Sequence, residues 1–381
     1  MLNAETLHPK DLTAADSTAW LRLAETEVGY ASPLLGPDFA KAVGVVREDA
    51  RVCIWRRDGR AVGFLAYHWR PGGHARAIGA PFSDYHGPVA EPGLDCGAAL
   101  KAAGLAAFRF TSLIDPAGVF AGGVSARTEA FVVELAGPAE AYLDNLRAAS
   151  PKRFKNYRRL DHKLDREVGP LRIVAPDRSA VAFEQLIAWK RDQMVRTGVH
   201  DVLNVEWTRK LMRNLFESQV GNLHGMMINL YAGDRLVAGH FGVRRGGAYH
   251  PWIASTDPGL AAWSPGQVFL GRAINAMDDL CLTTYDLGPT HDHYKRPYVL
   301  RPRWVGEGLA TAATLQGHAA RMTDRAWDLA GARRAGAVSG LRRRLEVIAA
   351  VELTLGGRAR ALASALAARA PRAISHALQV G

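Results

Sequence analysis

The sequence predicts an α/β protein built from two related halves, each a mixed sheet flanked by helices, followed by a basic helical C-terminal tail. Three observations predict it. A β-β-α-β order is legible between Arg235 and Lys295; a hairpin pattern recurs about 175 residues apart; and the composition turns Ala- and Arg-rich after about Gly317. The 381 residues exceed one typical core, so two domains are expected. We place them at 1–145 and 146–315, with the tail at 316–381.

In the first half, Thr13 to Glu27 carries Ala15, Trp20, Leu21, Leu23 and Ala24 at helical spacing, and Ser32-Pro33 ends the pattern. Arg51 to Trp55 and Ala61 to Trp69, joined by Arg56-Arg57-Asp58-Gly59, form a hairpin pattern. Arg60-Ala61-Val62-Gly63-Phe64 is echoed by Arg235-Leu236-Val237-Ala238-Gly239, which favours duplication over chance. The first copy lacks a strong helix start near Pro92-Gly93-Leu94 and is expected to bind no nucleotide. Ser83-Asp84-Tyr85-His86-Gly87 is a polar cluster after an apolar strand, either an ordinary turn or a wall of a site.

Leu143 to Arg166 resembles one basic helix linking the halves, with seven Lys/Arg against two Asp from Lys152 to Arg166. It is either a solvated linker or the path of an anionic acceptor along Lys152, Arg153, Arg158 and Arg159. Phe183 to Arg196, which includes Trp189, Lys190, Arg191 and Gln193, and Glu206 to Phe216 have helical spacing, and Met226 to Leu230 opens the second sheet.

The second half is the most explicit. Arg235–Arg244 and Ala248–Ser255 are strand-like, and Gly246-Gly247 supplies the positive φ of a tight turn. At Ser264-Pro265-Gly266-Gln267, a Ser cap, a Pro in the first turn and a Gln three residues on predict a capped helix start. Val268, Leu270, Ile274, Met277 and Leu280 give that segment an apolar face, and Tyr285-Asp286-Leu287-Gly288 returns as a strand. Free amides at the helix start suit a phosphate or pyrophosphate. The loop Asp286 to Lys295 gathers two Asp, two His, a Tyr and a Lys, more polarity than packing requires.

On Ser264-Pro265-Gly266, Tyr285-Asp286-Leu287-Gly288 and Tyr294-Lys295, with Ser32-Pro33-Leu34-Leu35 and Asp38-Phe39, the chain resembles GNAT-type N-acetyltransferases over about residues 30 to 310. Within them it is similar to the CelD/BcsL-like branch, which shares the tandem architecture of FemAB-like proteins. The usual Gln/Arg-x-x-Gly-x-Gly/Ala loop is not present in that form. The resemblance implies transfer of acetyl from acetyl-CoA to an amino sugar in holdfast- or cellulose-like exopolysaccharide synthesis. It implies an amino-sugar or polysaccharide-precursor acceptor.

Such chemistry needs a bound thioester, a deprotonated amine, an oxyanion donor and an acid for the thiolate. Ser264, Gly266 and Gln267 are expected to hold the donor, with Lys295 on a phosphate or on the acceptor's anionic group. Asp286 and His293 would orient or deprotonate the amine, Tyr294 would protonate the thiolate, and His240 or His250 would act as base or hydrogen-bond partner. Asp84, Tyr85, His86 and Lys190 are the expected acceptor residues. The family likeness supports Asp286, Tyr294 and Lys295 as site positions. His291-Asp292-His293 lacks a third clear ligand, and no metal is expected. No Gly-x-Ser-x-Gly elbow occurs, which weakens a hydrolase reading.

With 48 Lys+Arg against 37 Asp+Glu, the net charge of +11 favours anionic partners. From Gly317 onward there are 11 Arg and 4 acidic residues. Leu341, Leu345, Ile348 and Leu355 beside Arg342, Arg343 and Arg344 suit a helix on an anionic membrane surface, or equally an appendage packed on the core. Those arginines, with Arg333 and Arg334, suit a cyclic dinucleotide as a further option. Three scattered cysteines, no leader pattern and no run of 18 uncharged apolar residues predict a cytoplasmic protein, peripheral to the inner membrane at most. Two rival functions are an aminoacyl-tRNA-dependent transferase and a non-catalytic regulatory module.

Overall fold

The computed structural model describes residues 2–218, 222–289, 294–333 and 336–367. Strand β1 (Leu2–Leu7) precedes helices α1 (Ala14–Ala24) and α2 (Pro37–Val46), hairpin strands β2 (Ala50–Arg57) and β3 (Arg60–Arg70), and short strands β4 (His74–Ala77) and β5 (Val89–Ala90). Next come α3 (Cys96–Ala102), β6 (Ala107–Leu113), β7 (Val124–Ala130) and β8 (Val132–Glu134). Helices α4 (Ala139–Ala149) and α5 (Pro151–Val168), strand β9 (Leu171–Val174), and helices α6 (Ala180–Arg196) and α7 (Glu206–Glu217) lead into β10 (Leu223–Ala232), β11 (Arg235–Arg245) and β12 (Ala248–Thr256). Helix α8 (Pro265–Asn275), β13 (Thr284–Asp286), β14 (Arg303–Thr311) and helices α9 (Leu315–Leu329), α10 (Ala337–Val351) and α11 (Leu355–Ala367) complete the order.

Two mixed sheets carry the fold. The first runs β1-β2-β3-β4-β6-β14-β7, with β5 beside β3; the second runs β8-β13-β12-β11-β10-β9. Each contains one parallel pair, β4 with β6 and β12 with β13, among antiparallel neighbours. The series β1, β2, β3, β4, β6 therefore has the same order and sense as β9, β10, β11, β12, β13. Strands β3 and β11 are both 11 residues long. The register slips at Trp55/Arg56 in one hairpin and at Leu230/Tyr231 in the other, again 175 residues apart. A bulge kept at the same place is a second sign of duplication, independent of residue identity.

Chain order and sheet membership are not collinear. Strand β8 leaves the first sheet after the single residue Phe131 and pairs with β13, while β14 returns from the second half to lie between β6 and β7. The main chain ties this crossing: Leu287 N donates to Phe131 O (2.8 Å) and Phe131 N to Gly288 O (3.2 Å).

Several local expectations are refined. Of the two turn glycines only Gly246 is left-handed (φ 54°); a Cβ on Gly247 would lie 2.7 Å from Thr283 Oγ1, so its constraint is close approach. The linker is two helices, because Pro151 brings no N–H and Ser150 leaves the helical region (φ −144°). The apolar face of α8 is buried as expected, although Met277 and Leu280 lie in the turns beyond its end.

One apolar core runs between the halves. Phe39 and Phe82 pack on Trp252 of β12, and Phe82 also meets Trp207 of α7. The turn Pro33–Leu35 lies against β11 and β12, and Arg245 donates to Tyr30 O (2.9 Å), so the Ser32–Phe39 segment is seated on the second sheet. Helices α4, α5 and α8 cover that sheet's other face, around Tyr249, Tyr285 and Tyr298.

The tail packs inward. Ile348 and Val351 are buried, Trp207 Nε1 donates to Val351 O (3.0 Å), and Arg47 Nη1 to Ala350 O (3.3 Å). Of the apolar stripe assigned to a membrane surface, Leu341 and Leu355 are exposed but Ile348 belongs to the core. Arg333 and Arg342 are bound to Asp324 and Asp328, and Arg344 donates to Gly198 O, so these side chains are spent within the protein; Arg334 lies outside the described residues. Among the described residues no helix is long and apolar enough to cross a membrane.

Candidate functional site

Strands β12 and β13 pair only at Ala248–Thr284 and Tyr249–Tyr285. Beyond that point β13 stops at Asp286 while β12 continues to Thr256, and a cleft of about 840 Å³ opens beside its outer edge. Ala238 and His240 of β11 and Ala254–Thr256 of β12 form its floor. Its walls are α6 from Trp189 to Arg196, the first turn of α8, and Tyr294. Because β11 occupies the other edge of β12, the edge facing the cleft carries no paired strand beyond Tyr249 among the described residues, although Ala254 O already accepts from Lys190 Nζ (3.5 Å).

Ser264, Gly266 and Gln267 all line this cleft, as the sequence implied, but the capping box does not form. Pro265 disfavours the right-handed helical region for Ser264, which adopts a left-handed conformation (φ 51°, ψ 53°) and makes no side-chain cap; Gln267 N instead donates to Ser264 O (3.0 Å). Pro265 has no N–H and Gln267 N is taken up by Ser264 O, which leaves Gly266 N as the first-turn amide not used by these contacts, beside a serine in a strained left-handed conformation. A Cβ on Gly266 would lie 3.3 Å from Thr256 Cγ2, so the glycine keeps the helix start open against β12.

Lys190, His240 and Tyr294 also face the cleft. Lys190 Nζ donates to Gln193 Oε1 (3.1 Å) and Ala254 O (3.5 Å). His240 Nδ1 lies 2.7 Å from the Tyr285 hydroxyl, and burial, with the nearby charges of Lys295 and Lys190, pushes its pKa down to about 3. It is thus a neutral hydrogen-bond partner and a poor general base, which corrects the catalytic role expected of it. Lys295 sits behind the cleft and donates to Leu287 O (2.8 Å). His293 lies outside the described residues, as do His291 and Asp292, and the described residues hold no cluster able to bind a metal.

Others of the expected residues gather elsewhere, in a network joining the halves whose His250, Tyr85 and Asp286 are buried and whose Asp84 is partly exposed. His250, with no exposed surface, lies 2.9 Å from Asp84 Oδ2 and 3.6 Å from Asp286 Oδ1. Asp286 Oδ1 also accepts from Tyr85 OH (2.7 Å) and Gly288 N (2.9 Å). Burial alone would push His250 down, but the Asp286 and Asp84 carboxylates override it and hold its pKa up at about 9. Burial opposes ionisation of Asp286, and His250 and Tyr85 overcome it and keep the carboxyl below its ordinary range. Asp286 therefore does not serve as base: its carboxylate is committed to an ion pair.

His86 is likewise not an acceptor residue. Its Nε2 accepts from Thr111 N (3.0 Å), Nδ1 donates to Ser83 O (3.2 Å), and burial holds it neutral with a pKa of about 4. Asp84 and Tyr85, occupied by His250 and Asp286, do not line the cleft either.

Sequence reasoning missed Asp192 and Arg196, which line the cleft from α6. Asp192 is the one carboxylate among its described lining residues. The signal was the spacing of Trp189, Asp192, Gln193 and Arg196, which puts one polar stripe on one helix face.

Comparison with known proteins bears on the fold. Residues 151–296 match the family model of the acetyltransferase (GNAT) domain. No curated protein matches the chain. Among solved structures, a conserved protein of unknown function from Bacteroides thetaiotaomicron is similar with a TM-score of 0.51 at 11% identity, over 82% of this chain and 100% of that one. FemX is similar with a TM-score of 0.50 at 10% identity, over 80% and 96%. A tandem GNAT protein from the clavulanic acid biosynthesis pathway gives 0.46 at 11% identity, over 82% and 99%. At such identities the likeness is one of fold: an α/β chain whose residues 151–296 match the GNAT domain model and whose first sheet repeats the strand order of the second.

Proposed function

We propose that this chain is an acyltransferase that moves an acetyl group from acetyl-CoA to the amino group of a sugar during exopolysaccharide synthesis. The observation that carries the reading is the cleft where the start of α8, the free edge of β12 and the trio Lys190, Asp192 and Tyr294 meet. The helix start at Ser264–Gln267 suits the pyrophosphate of the donor, and the β12 edge suits the amides of its pantetheine arm. Acetyl-CoA supplies the activated thioester when bound. Asp192 holds the amine and accepts its proton, the polar wall around His240 favours the developing oxyanion, and Tyr294 returns a proton to the thiolate.

Calorimetric titration with acetyl-CoA and coenzyme A tests the donor half. Binding is expected for the native chain and a loss of at least about tenfold for Gly266→Leu, whose side chain would crowd the helix start. Acetylation of glucosamine-type acceptors, with none of neutral sugars, tests the other half. If neither CoA species binds, the reading fails.

A second reading, transfer from an aminoacyl-tRNA, is favoured by one feature. Lys152, Arg153, Lys155, Arg158 and Arg159 are all exposed on α5, whose Lys163 lies over the ring of Trp263 (5.4 Å), the residue before Ser264. Binding of tRNA with a steep salt dependence, in a chain that ignores CoA, would select it.

A further inference from the structure

A second cavity, of about 670 Å³, lies between the first sheet and the C-terminal helices, with β4, β6 and β14 on one side and α9, α10 and α11 on the other. Five arginines line it: Arg70, Arg76, Arg109, Arg342 and Arg358. Asp324 and Glu346 neutralise Arg109 and Arg342. The other three are not so provided for. Arg76 and Arg358 reach only backbone carbonyls, of Glu346 (3.4 Å) and Glu352 (2.9 Å), and neither has a carboxylate within ion-pair distance among the described residues. Arg70 gives Nη1 to Asp49, which is shared with Arg47 and His68, while its Nε and Nη2 are buried without an acceptor.

Buried donors without acceptors and clustered like charges cost stability, and this chain pairs comparable arginines elsewhere, Arg47 with Asp49 and Arg272 with Asp161. Burial lowers the pKa of the Arg76 guanidinium; Glu346 opposes this, and Arg70, Arg109 and Arg358 add to it. An anion would complete the arrangement. Its chemical class follows from the rest of the lining: Leu309, Ala320, Leu345, Ile348 and Leu362 are aliphatic, and no Asn or Gln is present to match a nucleobase edge. Of its two aromatic rings, Trp327 already faces Arg342, and His74 is an imidazole too small to stack a base broadly.

We propose that this cavity binds the phosphate ester of an aliphatic chain, with the phosphate between Arg70, Arg76 and Arg358 and the chain along Leu309, Leu345 and Leu362. Such a group comes either from a membrane phospholipid or from a soluble alkyl or prenyl phosphate. The proposal stands apart from the acetyl-donor cleft.

Calorimetric titration of the full chain with octyl phosphate, octanol and inorganic phosphate tests it. Octyl phosphate is expected to bind at least about tenfold more tightly than either fragment. Arg76→Met and Arg358→Met should each weaken it by about tenfold or more while leaving the melting temperature of the ligand-free protein unchanged or raised, because each relieves like-charge crowding. Cosedimentation with phosphatidic acid vesicles, absent with phosphatidylcholine and lost in Arg76→Met, assigns the lipid source. Octyl phosphate binding without vesicle binding assigns the soluble one. Equal affinity for octanol and octyl phosphate, or binding untouched by both substitutions, overturns the proposal. So does displacement of octyl phosphate by a cyclic dinucleotide of higher affinity.

Discussion

His250 holds a positive charge out of contact with water, between Asp84 from the first half and Asp286 from the second. Its pKa of about 9 stands above the ordinary histidine value of 6.5, so the stability it contributes is fully present below pH 6.5 and is lost as pH rises through 9. For a fully buried group that loss is on the order of 3 kcal/mol. Urea denaturation at pH 6.5 and 9.5 should show it in the native chain and not in His250→Gln, which should itself cost about 3–5 kcal/mol by stranding Asp286. A native stability flat over this range would mean the imidazole is neutral. Asp84, His86 and Asp286 were legible as an unusual concentration of polar groups, but their use was not. A solvent-filled site and a largely buried ion network call for the same side chains, and the difference lies in His250, 166 residues from Asp84 in sequence.

The start of helix α8 was readable because it is written in local chemistry, Ser-Pro-Gly, and its inward face in periodicity, though its end at Asn275 was not. Helix α10 was not, since an amphipathic arginine-rich helix has the same pattern whether it lies on lipid or on protein. Its contacts decide the matter: α10 supplies the carbonyls that satisfy Trp207 and Arg47. Ending the chain at Gly336 should therefore lower the melting temperature, and Ile348→Ala alone should cost about 2–4 kcal/mol. An unchanged melting temperature for the shortened chain would show that the helix rests elsewhere. Asp192 escaped notice for the converse reason, because a carboxylate on an exposed helix face resembles ordinary solvation until the facing strand is known.

Across the molecule, the duplication was visible from one hairpin, but the exchange of strands was not. Strands of three residues such as β8 and β13 carry no periodicity of their own, and their pairing depends on partners about 150 residues apart. The exchange makes a prediction about folding units. A fragment of residues 146–315 lacks β8 and leaves the β13 edge open, so it should fail to give dispersed amide resonances. Adding the 1–145 fragment should restore them. A well-dispersed spectrum from the 146–315 fragment alone would show that the second sheet is self-sufficient.

The crossing at Phe131 also governs motion. Many two-lobed proteins admit their ligands by swinging one lobe away from the other about a hinge. Here the main chain of each lobe is hydrogen-bonded into the sheet of its neighbour, and a swing would have to tear the β8–β13 and β6–β14–β7 ladders. On the function proposed above, the donor then reaches the cleft between α6 and the first turn of α8 without a hinge motion, past lining side chains such as Trp189, Arg196 and Tyr294.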